Sequence, residues 1–294
     1  MKRKGKDYFD ILKAYLKKIL DIAGLQEMRI LPGHLAFFFV LSTIPMITII
    51  GLVCGMFHIS AFDIVNFLDS IIPHAVMELL TPFMEIPPTD ITGWFLILGF
   101  VLASNGAYSI ILASNALYKI ENDPYLLGRI KALFLTIILM VLFLFVVVFL
   151  AFGNSILKFV LGFEMFVSVA DTIYAMFLYL KWPLAFIIVF LLVKMIYTIA
   201  PGKRISSKYV NKGAFFTTIG WIIATAIYSY YADNLANYNL FYGSLSNIII
   251  LMMWIYFIAY IFVIGIAINS SIYHVEHPEK ISNYKEEESG ESKL

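Results

Sequence analysis

Long apolar runs alternate with short polar ones along the chain. A helix needs about 20 mostly apolar residues to cross the hydrocarbon core of a bilayer. Six runs reach that length, at roughly 35–57, 93–118, 132–153, 175–200, 213–231 and 245–270. Helices are the expected form, because a segment in lipid must satisfy its own backbone donors and acceptors. The pattern predicts an all-α integral membrane protein. Six transmembrane helices over 35–270 follow a cytoplasmic N-terminal segment, 1–34, and precede a charged cytoplasmic tail, 271–294.

Two further stretches carry helical periodicity without enough apolar length to cross. In "DYFDILKAYLKKILDIAG", 7–24, Phe9, Leu12, Leu16, Ile19 and Ala23 form one apolar stripe, with Lys13, Lys17, Lys18, Asp10 and Asp21 on other faces. This reads as a helix lying in the cytoplasmic interface, aided by anionic lipid, or equally as a helix packed on the bundle. Residues 58–92 hold Phe62, Val65, Leu68, Ile72, Val76 and Leu79 at helical spacing, interrupted by Pro73, Pro82, Pro87 and Pro88. A loop this long with its own periodicity predicts one or two short amphipathic helices on the outer leaflet, either capping a cavity or serving as a structural lid. The tail from about 275, "VEHPEKISNYKEEESGESKL", is too polar to pack and is expected to be disordered.

Charge sets the direction. Of 21 Lys and Arg residues, all but Lys158, Lys181 and Lys194 fall in the N-terminal segment, the 119–131 and 201–212 loops and the tail, which a six-span count places on one side. The positive-inside rule puts that side, and both termini, in the cytoplasm. The 58–92 loop, with no Lys or Arg, lies outside. Lys194, about six residues from the cytoplasmic end of its span, can snorkel to the interface. Composition agrees: 61% hydrophobic and 14% charged residues, against about 25% charged in soluble domains. A net charge of +1 suggests no nucleic-acid partner, and the single cysteine, Cys54, reads as a small buried apolar side chain.

Polar residues inside the spans are the candidates for function. In span two, Ser104, Tyr108, Asn115 and Tyr118 share a helical face, flanked by Asn105 and Ser114. Span five carries Thr217, Trp221, Thr225 and Tyr228, and span six begins with Asn247 and ends at Asn269. At such depths polar groups should point into the bundle. They either bond helices together, at about 0.6–2 kcal/mol each, or line a pathway for a polar or amphiphilic solute. The stretch "ANYNLFYGSLSN", 236–247, stops abruptly at the wall of span six. Tyr238 and Tyr242 suit the membrane interface, and the nearby amides mark the outer ends of spans five and six as a candidate site. Tyr242 and Asn247 are expected to meet Asn105 and Tyr108 in a polar column from the outer surface.

Enzyme chemistry finds no foothold. The chain has no HExxH, GxSxG, Walker A or CxxC pattern, and no Asp or Glu lies deep in a span. No metal, cofactor or catalytic residue is expected.

"HLAFFFVLSTIPMI", "SNGAYSIILASNALY", "KWPLAFIIVFLLVKMIYTIAP" and "NYNLFYGSLSNIIILMMWIYFIAYIFVIGIAIN" resemble the first, second, fourth and last spans of the YihY/BrkB family of bacterial inner-membrane proteins, whose old label is ribonuclease BN-like. The Tyr242–Leu245 element followed by Trp254 and Gly265 is the most specific part of the likeness. Many members carry basic residues in span two, where this chain has Asn105, Tyr108, Leu112 and Ala116, and an acidic residue where it has Ala267. The resemblance implies a multi-pass protein of the bacterial cytoplasmic membrane and carries no settled activity; with the polar faces it makes transport or flipping of an amphiphilic or polar solute the leading expectation, with membrane lipids as partners. A structural scaffold binding lipid or protein is the alternative, and a membrane-embedded ribonuclease comes last, because RNA hydrolysis needs a carboxylate or histidine cluster.

The orientation has a direct readout. In a Cys54→Ala background, Ser70→Cys is expected to react with a membrane-impermeant thiol reagent on intact cells. Reaction only after the membrane is breached would reverse the orientation.

Overall fold

The computed structural model describes residues 24, 26–56, 61–84, 92–161, 170–234 and 242–276. The amphipathic stripe at 7–23, Tyr238 and the tail from 277 lie outside these residues. Within them the secondary structure is helical: α1 (Glu27–Met56), α2 (Ala61–Asp69), α3 (His74–Met84), α4 (Thr92–Tyr118), α5 (Tyr125–Leu161), α6 (Ala170–Ile199), α7 (Asn211–Asn234) and α8 (Ser246–Glu276). Six of them, all but α2 and α3, are long and apolar enough to cross a membrane. Several extend past the apolar runs that announce them. The first starts at Glu27 and the last continues to Glu276.

The bundle is organised around α1, which packs along α4 and against α8, while α8 also packs along α7, and α5 lies against α4 and α6. Without water to drive apolar faces together, helices in lipid associate by close packing and interhelical hydrogen bonds, and small residues let backbones approach. The α1–α4 seam has this form. A Cβ built on Gly99 would stand 3.1 Å from Cβ of Pro45, and one on Gly106 would stand 2.9 Å from Ser42 Oγ. The gap at Gly106 admits the Ser42 hydroxyl, which bonds its own Phe38 carbonyl at 2.6 Å and lies 3.2 Å from the carbonyl of Ala103 across the seam. Pro45 has no backbone N–H and loosens α1 at this point. Thr43 and Thr48 return hydroxyls to the carbonyls of Phe39 and Ile44 on either side of it.

The α7–α8 seam is tighter. A Cβ on Gly265 would overlap Thr217 Oγ1 and the Tyr197 hydroxyl, and one on Gly213 would overlap the Gly265 carbonyl. The buried Tyr197 hydroxyl bonds Thr217 Oγ1 at 2.7 Å and donates to the Phe262 carbonyl at 2.8 Å, joining α6, α7 and α8. Asn269 Oδ1 accepts the Gly213 N–H at 2.7 Å.

Chain reversal at the Lys- and Arg-bearing end, here called the basic end, ends α4 at Lys119. That residue takes a left-handed φ of +54°. Few residues other than glycine do so. Its side chain is tied down by an ion pair with Glu27 at 3.0 Å. At the opposite end, α2 and α3 fold over the bundle, and Ile64, Val76 and Met77 are buried beneath them. Gly51 of α1 lets the end of α3 in, since a Cβ there would overlap the Met84 carbonyl.

Gly265→Ala is expected to lower stability by about 1–3 kcal/mol, the usual cost of overpacking. Gly33→Ala, with nothing within 4 Å of its Cβ position, is expected to cost nothing. Thermal unfolding of the two purified variants in one detergent checks the contrast.

Candidate functional site

Beside the α1–α4 seam the packing opens into a cavity of about 390 Å³. Its walls come from Phe39 to Ile50 of α1, Ala103 to Ile110 of α4, Thr136 to Phe143 of α5, and Trp254 to Phe262 of α8. Trp221 of α7 and Ile196 of α6 complete them, and Leu68, Ile72, Met77 and Leu80 of the lid close the far end. The cavity exists because α4 presents Ala103, Gly106 and Ala107 there instead of large side chains. Its polar atoms are turned away or occupied. Thr43 and Thr136 bond carbonyls of their own helices, at 2.7 Å each. The two tryptophans spend their N–H groups on the α7–α8 contact: Trp221 Nε1 donates to the Ile258 carbonyl at 2.9 Å and Trp254 Nε1 to Thr225 Oγ1 at 3.3 Å. What remains facing the space is hydrocarbon and aromatic ring. Such a surface binds by burial of apolar area and offers no directional recognition.

The polar side chains gather instead at the two ends. At the basic end, Asn115 Oδ1 accepts the Gly202 N–H at 2.6 Å, and Asn115 Nδ2 donates to Asn122 Oδ1 at 3.0 Å. Lys131 pairs with Asp123 at 2.6 Å. Asn105 Oδ1 accepts from Arg129 Nη1 at 2.8 Å, and the Arg129 guanidinium lies 5.5 Å from the Tyr108 ring centroid. Gly128 permits this approach, because a Cβ there would meet the Tyr108 ring at 3.0 Å.

At the other end the lid is strapped to the bundle. The His74 N–H donates to Asp233 Oδ1 of α7 at 3.2 Å, and Asn247 Nδ2 of α8 donates to Glu78 Oε2 at 3.0 Å. His74 Nδ1 lies 2.8 Å from Asp69 Oδ1. The hydrogen bond and charge of Asp69 raise the His74 pKa above its ordinary value; burial opposes the shift, and Glu78 and Asp233 add to it. Among the described residues no group of three His, Cys, Asp or Glu side chains is placed to hold a metal ion.

The residues marked by the sequence pattern thus fall into separate places. Ser104, Asn115, Tyr118 and Thr225 are buried, and Asn105 and Tyr108 are half-buried. Ser104 donates to its own Val101 carbonyl at 2.7 Å. The Tyr118 ring packs edge-on against Tyr273 at 5.7 Å. Tyr242 is 51% exposed. The structure does not bring Tyr242 and Asn247 to Asn105 and Tyr108: Asn247 binds the lid and Asn105 binds α5. Of the residues the sequence pattern marks, Trp221 lines the cavity; Ser104, Asn105, Tyr108, Asn115, Tyr118, Thr225, Tyr242 and Asn247 do not, although Thr225 holds Trp254, which does. Sequence reasoning offered a cavity beneath the 58–92 helices as one alternative, but missed its apolar walls and the position of Arg129, which reads only as one basic loop residue among several. The seven-residue spacing of Gly99 and Gly106 was the available signal for the seam.

The model of the virulence factor BrkB family matches residues 24–291. Over 265 residues the chain is 28% identical to YfkH of Bacillus subtilis (strain 168), named as a ribonuclease-like protein, covering 88% of this chain and 95% of YfkH. It is 21% identical over 268 residues to the UPF0761 membrane protein VP0125 of Vibrio parahaemolyticus, 90% of this chain and 83% of that one. A UPF0761 membrane protein of Psychromonas ingrahamii is 30% identical over 87 residues, 30% of either chain. No solved structure matches the chain significantly.

The contact of the His74 ring with Asp69 within the lid is expected to depend on pH. Because the folded-state pKa of His74 is raised, the stability it contributes is complete below its unfolded value of about 6.5. That contribution is lost as pH rises through the raised folded value. Thermal unfolding of wild type and His74→Gln across this range should show a difference at the acidic side that closes toward alkaline pH. A gap that stays constant would detach His74 from any titration.

Proposed function

The chain belongs to the virulence factor BrkB family, and on that premise we propose that it is a membrane protein that takes an amphiphile from one leaflet and passes it toward the other. The observation that carries this reading is the apolar cavity of about 390 Å³. Its volume falls in the range of small-molecule sites, roughly 300–1,000 Å³. A hydrocarbon chain in an apolar space of that size gains dispersion contacts with its walls. Hydrocarbon chains surround the protein and have the chemistry to fill it.

The rest of the structure supports movement of such a chain. Phe143 lines the cavity and is itself 38% exposed, which offers entry from the surrounding acyl chains beside α5. Pro45 loosens α1 along one wall. The lid closes the far end with apolar side chains and is held by the exposed polar contacts of His74 and Asn247, which break at little cost. A scaffold would need none of these features, and a solute without an apolar part would gain nothing from these walls.

Reconstitution tests the reading. In vesicles carrying a fluorescent short-chain phospholipid, the wild type is expected to expose inner-leaflet label to an external quencher faster than protein-free vesicles do. Ala107→Phe, which places a ring in the cavity, should slow this severalfold while the protein stays folded. A wild type no faster than bare vesicles, or a folded Ala107→Phe variant as fast as wild type, would leave the scaffold as the better account.

A further inference from the structure

One turn of α4 separates the cavity from a cluster of polar side chains at the basic end. On α4 the cavity wall includes Ala103, Ala107 and Ile110, and steps of four continue that stripe to Ser114 and Tyr118. On α8 the wall includes Trp254, Ile258 and Phe262, and the same stripe continues to Asn269 and Tyr273. Both helices run toward the basic end. There Ser270 Oγ donates to the Leu117 carbonyl at 2.5 Å, and the Tyr118 and Tyr273 rings meet edge-on at 5.7 Å. The two stripes are therefore in step, with Ser114 and Asn269 each one turn before a tyrosine. Long side chains on a helix lean back toward its N-terminus, so the two rings lie over Ser114 and Asn269 and close this face. Tyr209, from the loop before α7, backs Tyr273 edge-on at 5.5 Å.

The closure leaves polar atoms stranded. Ser114, Tyr118 and Asn269 are buried, yet among the described residues Ser114 Oγ, the Tyr118 hydroxyl and Asn269 Nδ2 have no hydrogen-bond partner. The Asn269 amide is fixed, because its Oδ1 accepts the Gly213 N–H. Nearer the cavity, Ser104, Thr136, Tyr197 and Thr217 are all bonded. A buried donor or acceptor without a partner costs the state that buries it its desolvation penalty, and access of water removes that cost. The turn after Tyr118 is costly as well. Lys119 takes a left-handed φ of +54° in a place where glycine is usual, with the Ile120 N–H on the Asn115 carbonyl at 2.9 Å. The closed arrangement thus carries a cost that hydration relieves, and the exposed Lys119–Glu27 ion pair latches its end to α1.

We propose that the Tyr118–Tyr273 contact is a gate between the cavity and the basic end, shut in this structure. When the end of α4 parts from α8, water reaches Ser114, Tyr118 and Asn269, and the α4–α8 face opens from the cavity to the basic end. This rests on the amphiphile reading above and gives it a second door: the lid covers the cavity at one end, and the two tyrosines cover it at the other. Glu27 and Lys119 are the latch. The stranded hydroxyl of Tyr118 keeps the shut state from being too stable to open.

The test is thiol accessibility in the full-length protein, reconstituted in vesicles with a small charged thiol reagent on both sides. In a Cys54→Ala background, Ser114→Cys is expected to react severalfold faster than Ala113→Cys, an equally buried position on the next face of α4. Adding Glu27→Gln, which breaks the latch, should speed the reaction severalfold. Adding Tyr118→Phe should slow it severalfold, because the ring contact stays while the stranded hydroxyl goes; that variant should also unfold at a higher temperature than its parent. Equal reaction at positions 113 and 114 would mean a general loosening of this end, and the gate fails. A folded Tyr118→Phe variant that reacts as fast as its parent also overturns it. The lipid-passage assay separates the two readings. Passage that Tyr118→Phe and Glu27→Gln leave unchanged overturns the gate while the amphiphile reading stands. The expected thiol pattern in vesicles where wild type passes no lipid keeps the gate and overturns the amphiphile reading.

Discussion

The crossing of α1 and α4 requires that α4 present almost no side chain where α1 meets it. Gly99 and Gly106 supply that bareness, and Ala103 and Ala107 extend it. In a bilayer the surrounding lipid is as apolar as the helix surfaces, so association depends on close contact and on polar bonds across the seam. Ser42 illustrates both. It fits only because Gly106 lacks a Cβ, and once there it bonds carbonyls of α1 and α4. The same small residues that bring the two backbones together leave the space beside them unfilled. Packing and cavity thus arise from one constraint.

The second seam follows the same rule with different consequences. Gly213 and Gly265 bring α7 and α8 into backbone contact, and the hydroxyls of Thr217 and Tyr197 and the amide oxygen of Asn269 hold it. Higher along the same pair, Trp221 and Trp254 give up their N–H groups to neighbouring helices and turn their rings to the cavity. Polar side chains at the level of the cavity therefore bond across helices, as Tyr197 and Trp221 do, or back to their own carbonyls, as Ser104 and Thr136 do, and the cavity wall is apolar by subtraction. The charged contacts lie at the two ends: paired lysines and the neutral-held Arg129 at one, the Asp69, Glu78 and Asp233 carboxylates around His74 at the other.

The cavity is walled by hydrocarbon and aromatic rings, and the charged contacts gather at the two ends of the bundle. The lid contributes to both. Its buried face supplies Leu68, Met77 and Leu80 to the cavity, and its exposed face carries the groups that fasten it to α7 and α8. The lid is thus held both by exposed polar contacts and by the burial of Ile64, Val76, Met77 and Leu80.

The sequence by itself determined the class of fold, the six crossings, the presence of short helices between the first two of them and the inward direction of the polar faces. Apolar length and periodicity are local properties, and a bilayer leaves the backbone little alternative to a helix. The Tyr242–Leu245 element and Gly265 also carried the family resemblance, because they are read in a fixed order along one chain. Tertiary structure alone decided which partner each polar residue takes. Asn105 and Asn247 look alike as amides in apolar runs, yet one holds Arg129 and the other holds the lid. The walls of the cavity were equally hidden, since they come from six long helices and a lid and depend on how far apart those helices stand. That distance is set by pairs of small residues meeting across a seam, and a single strand of sequence does not say which glycine faces which helix.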